Sequence, residues 1–178
     1  MDFNKMDFDE LAIRVTDNAS KHGWWENERD PREVLALIHS ELSEALEEYR
    51  AGRDMVWYHN DKPEGIAVEL IDAVIRILDF MGHYDLKFVY DQPTEEDPNA
   101  PLPIFIAGLH YDISTLMQTA INGNGLMTDF HELEGTFSQV IRDISLWLEN
   151  HGVDFYSVLD CKMMYNVTRP YKHGGKVC

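Results

Sequence analysis

Apolar residues recur every three or four positions along most of the chain, a pattern that is typical of amphipathic helices. In the first such segment, Phe8, Leu11 and Val15 would share one face of a helix. No segment shows sustained alternation with a period of two, so no strand is expected. The pattern predicts an all-α protein, a bundle of about six helices over residues 8–22, 30–51, 64–81, 104–121, 129–150 and 154–168.

Residues with known helix-start and helix-stop preferences support these boundaries. Asp30-Pro31 combines an acidic N-cap with a proline at the first helical position, and Gly82 is placed to end the third helix. Pro170 closes the last helix. The segment Tyr90–Pro103 contains four prolines and four acids, which predicts an exposed linker.

The two halves of the chain resemble each other. Leu37–Ser43 aligns with Gly108–Ser114 at an offset of 71 residues, and both stretches then reach a glycine. The match favours a helical hairpin fused to a degenerate copy of itself, although two unrelated amphipathic helices would also match weakly. We expect one domain over residues 1–178, with a catalytic half at 1–85, a linker at 86–103 and a degenerate half at 104–178.

Length and charge restrict the classes of function. A chain of 178 residues can bury a sizeable core within one domain. Its 32 acidic and 15 basic residues give a net charge of −17, which would repel nucleic-acid polymers and anionic membranes. A small anionic substrate is compatible with this charge if metal ions bridge the substrate to the acids.

The sequence also indicates a compartment. The apolar stretches are too short to span a bilayer, and the acidic N-terminus lacks the apolar region of a signal peptide. The two cysteines, Cys161 and Cys178, have no metal-binding spacing, which is typical of proteins from a reducing compartment. We expect a cytoplasmic protein with no membrane partner.

Two of the predicted helices carry acids at helical spacing. Glu41, Glu44 and Glu48 fall along one line of the second helix. Glu69 and Asp72 do so on the third helix, which is apolar nearly all round and should therefore be buried. Buried carboxylates destabilise the folded state unless a cation compensates them.

Two kinds of cation could compensate these acids. Arg76, four residues after Asp72, would form a structural ion pair with it, but this accounts for only one of the two acids on the third helix. A divalent ion such as Mg²⁺, which prefers oxygen ligands, would account for both helices and is favoured. A di-iron site is excluded, because none of the eight histidines has a glutamate three residues before it. The predicted metal ligands are Glu41, Glu44, Glu69 and Asp72.

These acids belong to a longer sequence pattern. Glu41-Leu-Ser-Glu44 is followed, after 24 residues, by Glu69-Leu-Ile-Asp72, within the stretches Leu35–Arg50 and Lys62–Asp72. This pattern resembles the signature of the MazG-like, all-α nucleoside triphosphate pyrophosphohydrolases. The segment Tyr165–Lys176 is similar to the closing motif of the same group.

The resemblance covers roughly residues 20–85 and 150–176. The region between them is longer than short family members need, and in this respect the chain resembles the fused, double-hairpin members, which include the dimeric-type dUTPases. One departure is Ser40, where the family often has a glutamate. This departure puts a second metal ion, or a base at that position, in doubt.

The resemblance implies hydrolysis of a nucleoside triphosphate, with a deoxynucleotide preferred, to the monophosphate and pyrophosphate. It implies Mg²⁺ as the cofactor, with Mn²⁺ as a substitute, and Glu44 or its neighbour Glu48 as the residue that orients the attacking water. Such an enzyme would clean or balance the nucleotide pool, as a monomer or as a homodimer. The alternative is a non-catalytic nucleotide-binding protein built on the same bundle.

Basic and aromatic residues are candidates for substrate binding. Residues 162–178 contain four basic residues and no acid, which suits phosphate oxygens, whereas a frayed basic terminus is the alternative. Trp24-Trp25 and Trp57-Tyr58 lie in predicted loops, where a ring would stack on a nucleobase or cap a small core. The predicted substrate-binding residues are Trp25, Lys62, Arg76, Lys162, Asn166, Arg169 and Lys172.

Overall fold

The computed structural model describes residues 7–175 and confirms the predicted all-α class, at 64% helix. Six long helices occupy nearly the predicted ranges. No helix in the described residues is both long and apolar enough to cross a membrane. Cys178 lies outside the described residues. The elements are α1 (Phe8–Lys21), α2 (Pro31–Arg50), β1 (Trp57–His59), β2 (Lys62–Glu64), α3 (Ile66–His83), α4 (Leu102–Thr119), α5 (Phe130–Asn150), α6 (Phe155–Val167) and the short α7 (Lys172–Gly175).

Four of the long helices begin at an aspartate that caps the first turn. In α2, Asp30 accepts a hydrogen bond from the N–H of Arg32 at 2.9 Å, and Pro31 occupies the first helical position as predicted. These caps satisfy N–H groups that the helix itself cannot pair. The other three capping residues are Asp7, Asp129 and Asp154.

The third helix is at the centre of the bundle. α3 contacts α1, α2, α5 and α6, and buried residues cover most of its circumference. Its apolar side chains join a core cluster to which all six long helices contribute. An ionisable side chain on α3 is therefore surrounded by protein, which raises the free-energy cost of its charge.

Gly82 lies inside α3, so the predicted stop at this residue is wrong, and the helix continues to His83. A Cβ at Gly82 would lie 2.6 Å from the carbonyl oxygen of Ala12 and 2.3 Å from Oγ1 of Thr16. The absence of a side chain therefore lets α1 and α3 pack closely. At this crossing the Thr16 hydroxyl donates a hydrogen bond to the carbonyl oxygen of Asp79 at 2.9 Å.

A short β-hairpin that the sequence pattern did not predict lies between α2 and α3. β1 and β2 are antiparallel, with Trp57 opposite Glu64. Asn60 and Asp61 form the turn with φ of 47° and 65°, a conformation that Asn and Asp tolerate better than most residues. Strands of three residues are too short to show a period of two. Since β2 contacts α3 and α6, it brings Lys62 next to these helices.

The predicted exposed linker is only partly exposed. No helix or strand forms between α3 and α4, in agreement with the prediction. However, Leu86, Phe88 and Ala100 are buried, and the indole N–H of Trp147 donates to the carbonyl oxygen of Ala100 at 3.0 Å. The N–H of Val89 also donates to the hydroxyl of α5 Ser138 at 2.9 Å. These contacts fix the segment to α5.

Two histidines that the 71-residue offset aligns are in contact. His39 of α2 and His110 of α4 have their Nδ1 atoms 2.7 Å apart, and their ring centroids are separated by 5.0 Å. Burial lowers the pKa of both imidazoles. A contact between equivalent positions would follow from a duplicated hairpin, and the duplication itself stays a prediction.

The α1–α3 crossing gives a stability prediction. Replacing Gly82 with alanine forces its Cβ against the backbone of α1, so Gly82→Ala is expected to lower the free energy of unfolding by about 2 kcal/mol. Gly123→Ala is the matched control, because no atom lies within 4 Å of a Cβ at that position, and it should change stability by less than about 0.5 kcal/mol. Urea denaturation measures both variants. Equal stabilities would contradict the close crossing.

Candidate active site

A pocket of about 580 Å³ opens between α1, α2, α3 and α6. Acids from α2 and α3 form one part of its wall, and basic and amide side chains from α6 and the residues after it form another. This volume lies within the usual range for small-molecule sites. The sequence-predicted residues that line it are Glu41, Glu44, Lys62, Glu69, Asp72, Arg76, Lys162, Asn166 and Arg169.

Three of the predicted metal ligands converge in this pocket. Glu41 of α2, and Glu69 and Asp72 of α3, each place a carboxylate oxygen so that the three oxygens lie within 4.8 Å of one another. Glu69 and Asp72 meet because residues three apart lie on the same face of a helix. Glu41 joins them because α2 packs along α3.

Two of these three acids have a basic partner, but the pairs differ from the Arg76–Asp72 pair considered as the alternative to a metal site. Arg76 binds Glu41, not Asp72, with its Nη2 and Nε at 3.0 and 3.1 Å from Oε1. Asp72 instead accepts from the ammonium of Lys162 at 2.7 Å, and only 2% of the Lys162 side chain is exposed. The alternative to a metal site, an ion pair between Arg76 and Asp72, is therefore not formed, and α6 supplies the partner of Asp72.

The cluster remains short of positive charge. Burial, and then repulsion from Asp72, raises the pKa of Glu69 to about 8. Burial, and then the same repulsion, also raises the pKa of Glu41, although Arg76 opposes the shift. Burial raises the pKa of Asp72, and Lys162 opposes this shift. One more cation placed among these oxygens would stabilise the ionised form of all three acids.

The two predicted base candidates occupy different environments. Glu44 is exposed, lines the pocket and accepts a hydrogen bond from the hydroxyl of Ser40 at 3.1 Å. The Ser40 hydroxyl thus orients the Glu44 carboxylate. Glu48 does not line this pocket and accepts from the indole N–H of Trp57 at 2.7 Å.

α6 and the turn after it supply positive charge and an unpaired amide to the pocket. Lys162 lies within α6 against Asp72, Asn166 lies near the end of the helix, and Arg169 lies in the turn after it. The Oδ1 atom of Asn166 is buried and has no hydrogen-bond partner within residues 7–175. Lys62 reaches the pocket from β2, where it pairs with Glu64 at 2.6 Å.

Two predicted substrate-binding residues, Trp25 and Lys172, do not line the pocket. The indole of Trp25 stacks on the His83 ring, with the ring centroids 3.6 Å apart, and its N–H donates a hydrogen bond to Asp79 at 2.8 Å. The ammonium of Lys172 lies 3.4 Å from a carboxylate oxygen of Glu26. These contacts indicate that Trp25 packs behind the pocket and that Lys172 ties the C-terminal segment to the loop after α1.

Sequence reasoning also missed several lining residues. Helical spacing was an available signal, because Arg14 and Asn18 are one turn apart on α1 and Asp79 follows Asp72 by two turns of α3. The contributions of the loop after α1 and of the C-terminal turn had no such signal, because only the tertiary fold brings these segments together. Trp24, one of the predicted stacking candidates, also lines the pocket. The missed residues are Arg14, Asp17, Asn18, Lys21, His22, Asp79 and His173.

The second half contains no equivalent cluster within the described residues. When the stretch ending in His83 is aligned with the one ending in His151, an offset of 68 residues, Phe137 and Val140 fall opposite Glu69 and Asp72. Both are fully buried in the apolar core. Asp112 is buried and accepts a hydrogen bond from the side-chain amide of Gln139 at 3.2 Å. The acidic cluster is thus a feature of the α2–α3 pair.

The donor set of the cluster fits a hard divalent cation. Carboxylate oxygens are the ligands that Mg²⁺ and Mn²⁺ prefer, and Glu44 adds a further oxygen at the edge of the pocket. Glu69 has no ion pair or hydrogen bond from its side chain within residues 7–175. Its oxygens are therefore free to bind such an ion.

Glu69 gives the protein a pH-dependent stability in the presence of EDTA. Its folded pKa of about 8 exceeds the ordinary value of 4.5, so between these values the folded state retains a proton that the unfolded chain has lost. Stability should therefore fall as the pH rises from about 5 to about 8. Calorimetry should show a melting temperature roughly 5 °C lower at pH 8 than at pH 5.5, and a smaller decrease in Glu69→Gln.

Glu47→Gln is the control for this measurement, because Glu47 is exposed on α2 outside the pocket. It should retain the full decrease of the wild-type protein. A decrease of the same size in Glu69→Gln would contradict the assignment of the shift to the buried cluster.

Comparison with known proteins gives no family for this chain. No family model, no curated protein and no solved structure matches it. The functional assignment therefore depends on the residues and geometry of the pocket.

Proposed function

We propose that the protein hydrolyses a nucleoside triphosphate between its α and β phosphates, releasing the monophosphate and pyrophosphate. The observation that carries this proposal is the presence of two chemistries in one pocket. Glu41, Glu69 and Asp72 form an acidic cluster that Arg76 and Lys162 compensate only in part, and Asn166 and Arg169 line the same pocket. A substrate with a polyphosphate chain matches both chemistries when divalent cations accompany it.

In this proposal Glu41, Glu69 and Asp72 hold Mg²⁺, with Glu44 as a further ligand from the pocket edge. When bound, Mg²⁺ neutralises charge on the phosphate oxygens and lowers the pKa of an attacking water. Arg76 contributes indirectly, because its ion pair with Glu41 orients that carboxylate and opposes the rise in its pKa. Mn²⁺ would serve as a substitute, since it accepts the same oxygen ligands.

The basic wall binds and orients the phosphates. The Arg169 guanidinium is half-buried, and burial lowers its pKa, which indicates a cation with few waters around it. Such a group interacts strongly with phosphate oxygens because little solvent screens it. Asn166 lines the same pocket, where its side-chain amide N–H can donate a hydrogen bond to a phosphate oxygen.

Glu44 is a better candidate than Glu48 for the residue that orients water. The exposed carboxylate of Glu44 lies on the pocket wall and is held by the Ser40 hydroxyl. The carboxylate of Glu48 is engaged by the Trp57 indole. A residue that orients the attacking water must accept a hydrogen bond from that water inside the pocket. We therefore assign this role to Glu44.

Pyrophosphate release from a panel of ribonucleoside and deoxynucleoside triphosphates, with Mg²⁺, tests the proposal. We expect turnover of at least one deoxynucleotide, with monophosphate and pyrophosphate as the products. Glu69→Gln should lower kcat/KM by more than about a hundredfold, because it removes a charged ligand. The product analysis distinguishes this reaction from γ-phosphate release.

Glu47→Gln and Asp112→Asn are the controls, since neither residue lines the pocket. Both should retain near wild-type rates. Nucleotide binding without pyrophosphate release would favour a non-catalytic nucleotide-binding protein. Neither binding nor release across the panel would contradict a nucleotide site altogether.

A further inference from the structure

His22 joins the end of α1 to the C-terminal segment through both nitrogens of its ring. Nδ1 lies 2.7 Å from the carbonyl oxygen of Asn18, one turn back in α1. Nε2 lies 2.9 Å from the carbonyl oxygen of Arg169, a residue 147 positions away in the chain. His22 itself lines the pocket, as does Arg169.

The two contacts require a particular protonation state. A carbonyl oxygen only accepts hydrogen bonds, and a neutral imidazole has one N–H. If His22 were neutral, one ring nitrogen would direct its lone pair at a carbonyl oxygen, which is repulsive. Both contacts are favourable only when the two nitrogens each carry a proton, so the geometry corresponds to an imidazolium cation.

The position of His22 in the fold favours this cation. His22 is the C-cap of α1, where the carbonyl groups of the last turn point toward it and the helix dipole is negative. Positive side chains are stabilised at this end of a helix. The Asn18 carbonyl contacted by Nδ1 belongs to this last turn.

Other contacts tie the same two segments together. The N–H of Lys172 donates to the carbonyl oxygen of His22 at 2.9 Å. Tyr171 packs directly over Gly23, where φ is +84° and a Cβ would lie 2.3 Å from the Tyr171 ring, and its hydroxyl donates to Glu26. These contacts do not titrate near neutral pH in the way that an imidazole does, so His22 is the proton-dependent member of the set.

Charged groups of both signs lie on the elements packed around His22. The ring of His173 is 6.2 Å from the ring of His22. The remaining groups are Asp17 and Lys21 of α1, Glu26 of the next loop, Arg169 and Lys172 of the C-terminal segment, and Asp79 of α3 across the pocket.

We propose that His22 is a positioning residue whose imidazolium holds Arg169 against the pocket, so that substrate affinity depends on the protonation of His22. The inference rests on the proposed function, because it assigns Arg169 to the phosphates. Loss of the proton removes the Nε2–H or the Nδ1–H bond and loosens the Arg169–Lys172 segment. The segment then binds phosphate less well, whereas the acids that hold the metal are unaffected.

His151 provides a matched control within the same chain. It caps α5 as His22 caps α1, and its Nδ1 makes the same contact one turn back, 2.8 Å from the carbonyl oxygen of Trp147. Its Nε2 has no carbonyl partner within residues 7–175. One proton on the ring satisfies His151, so this residue should lack the proton dependence of His22.

The first test needs no substrate. ¹⁵N NMR of histidine-labelled protein reports which ring nitrogens carry protons, and hydrogen exchange reports the opening of the Lys172 N–H bond to His22. We expect two protons on His22 at about pH 6 and about tenfold faster exchange of this amide at about pH 8.5, after correction for intrinsic exchange rates. In His22→Gln the corrected rate should be independent of pH, and in His151→Gln it should follow the wild type.

The second test uses the nucleotide that the enzyme turns over best. The ratio of KM in His22→Gln to KM in the wild type should be about tenfold at pH 6 and near one at pH 8.5, with kcat unchanged. The ratio cancels the titration of the metal-binding acids, which both proteins share. The same ratio for His151→Gln should be near one throughout.

The two tests separate the inference from the proposed function. If no nucleotide is hydrolysed, the proposed function fails, and the NMR and exchange data still decide whether His22 is a proton-dependent tie. A His22 ring with a single proton at pH 6, or corrected exchange that does not depend on pH, would overturn the inference. A KM ratio that is constant with pH in an active enzyme would overturn it as well.

Discussion

Convergence of three carboxylates beside the most buried helix of the bundle is the constraint on which the rest of the site depends. Glu69 and Asp72 are held in place because α3 packs against four other helices. Glu41 faces them from α2. Ionised groups in such surroundings destabilise the folded state unless cations compensate them. Arg76 and Lys162 compensate Glu41 and Asp72, and Glu69 keeps a raised pKa. The incomplete compensation is what makes this cluster suited to a divalent ion.

The need to compensate the buried acids also links them to α6. Lys162 reaches Asp72 from α6, and this buried ion pair fixes α6 over α3. Since Asn166 and Arg169 follow on the same helix end, fixing α6 also places them in the pocket. The packing of the Tyr171 ring over Gly23 then holds the segment after α6 against the segment after α1. Metal-binding acids and phosphate-binding groups therefore depend on one set of packing contacts.

Local sequence pattern predicted the helices and the acidic cluster, because both depend on residues three or four positions apart. It failed where a partner comes from a distant segment. Helical spacing offered Arg76 only Asp72, its neighbour on α3, as a partner. The packing of α2 instead gives Arg76 a bond to Glu41, and α6 supplies Lys162 to Asp72. Trp25 was expected to contact substrate, but its indole donates a hydrogen bond to Asp79 and does not line the pocket. The β-hairpin was missed because three-residue strands show no period.

Binding of Mn²⁺ to the wild-type protein at about pH 7, followed by titration calorimetry in buffers of different ionisation enthalpy, tests the central claim most directly. Since Glu69 is mostly protonated at this pH, the account expects saturable binding with release of roughly one proton per chain. Binding should be lost in Glu69→Gln and unchanged in Asp112→Asn. Saturable binding without proton release, or binding that survives in Glu69→Gln, would contradict the account.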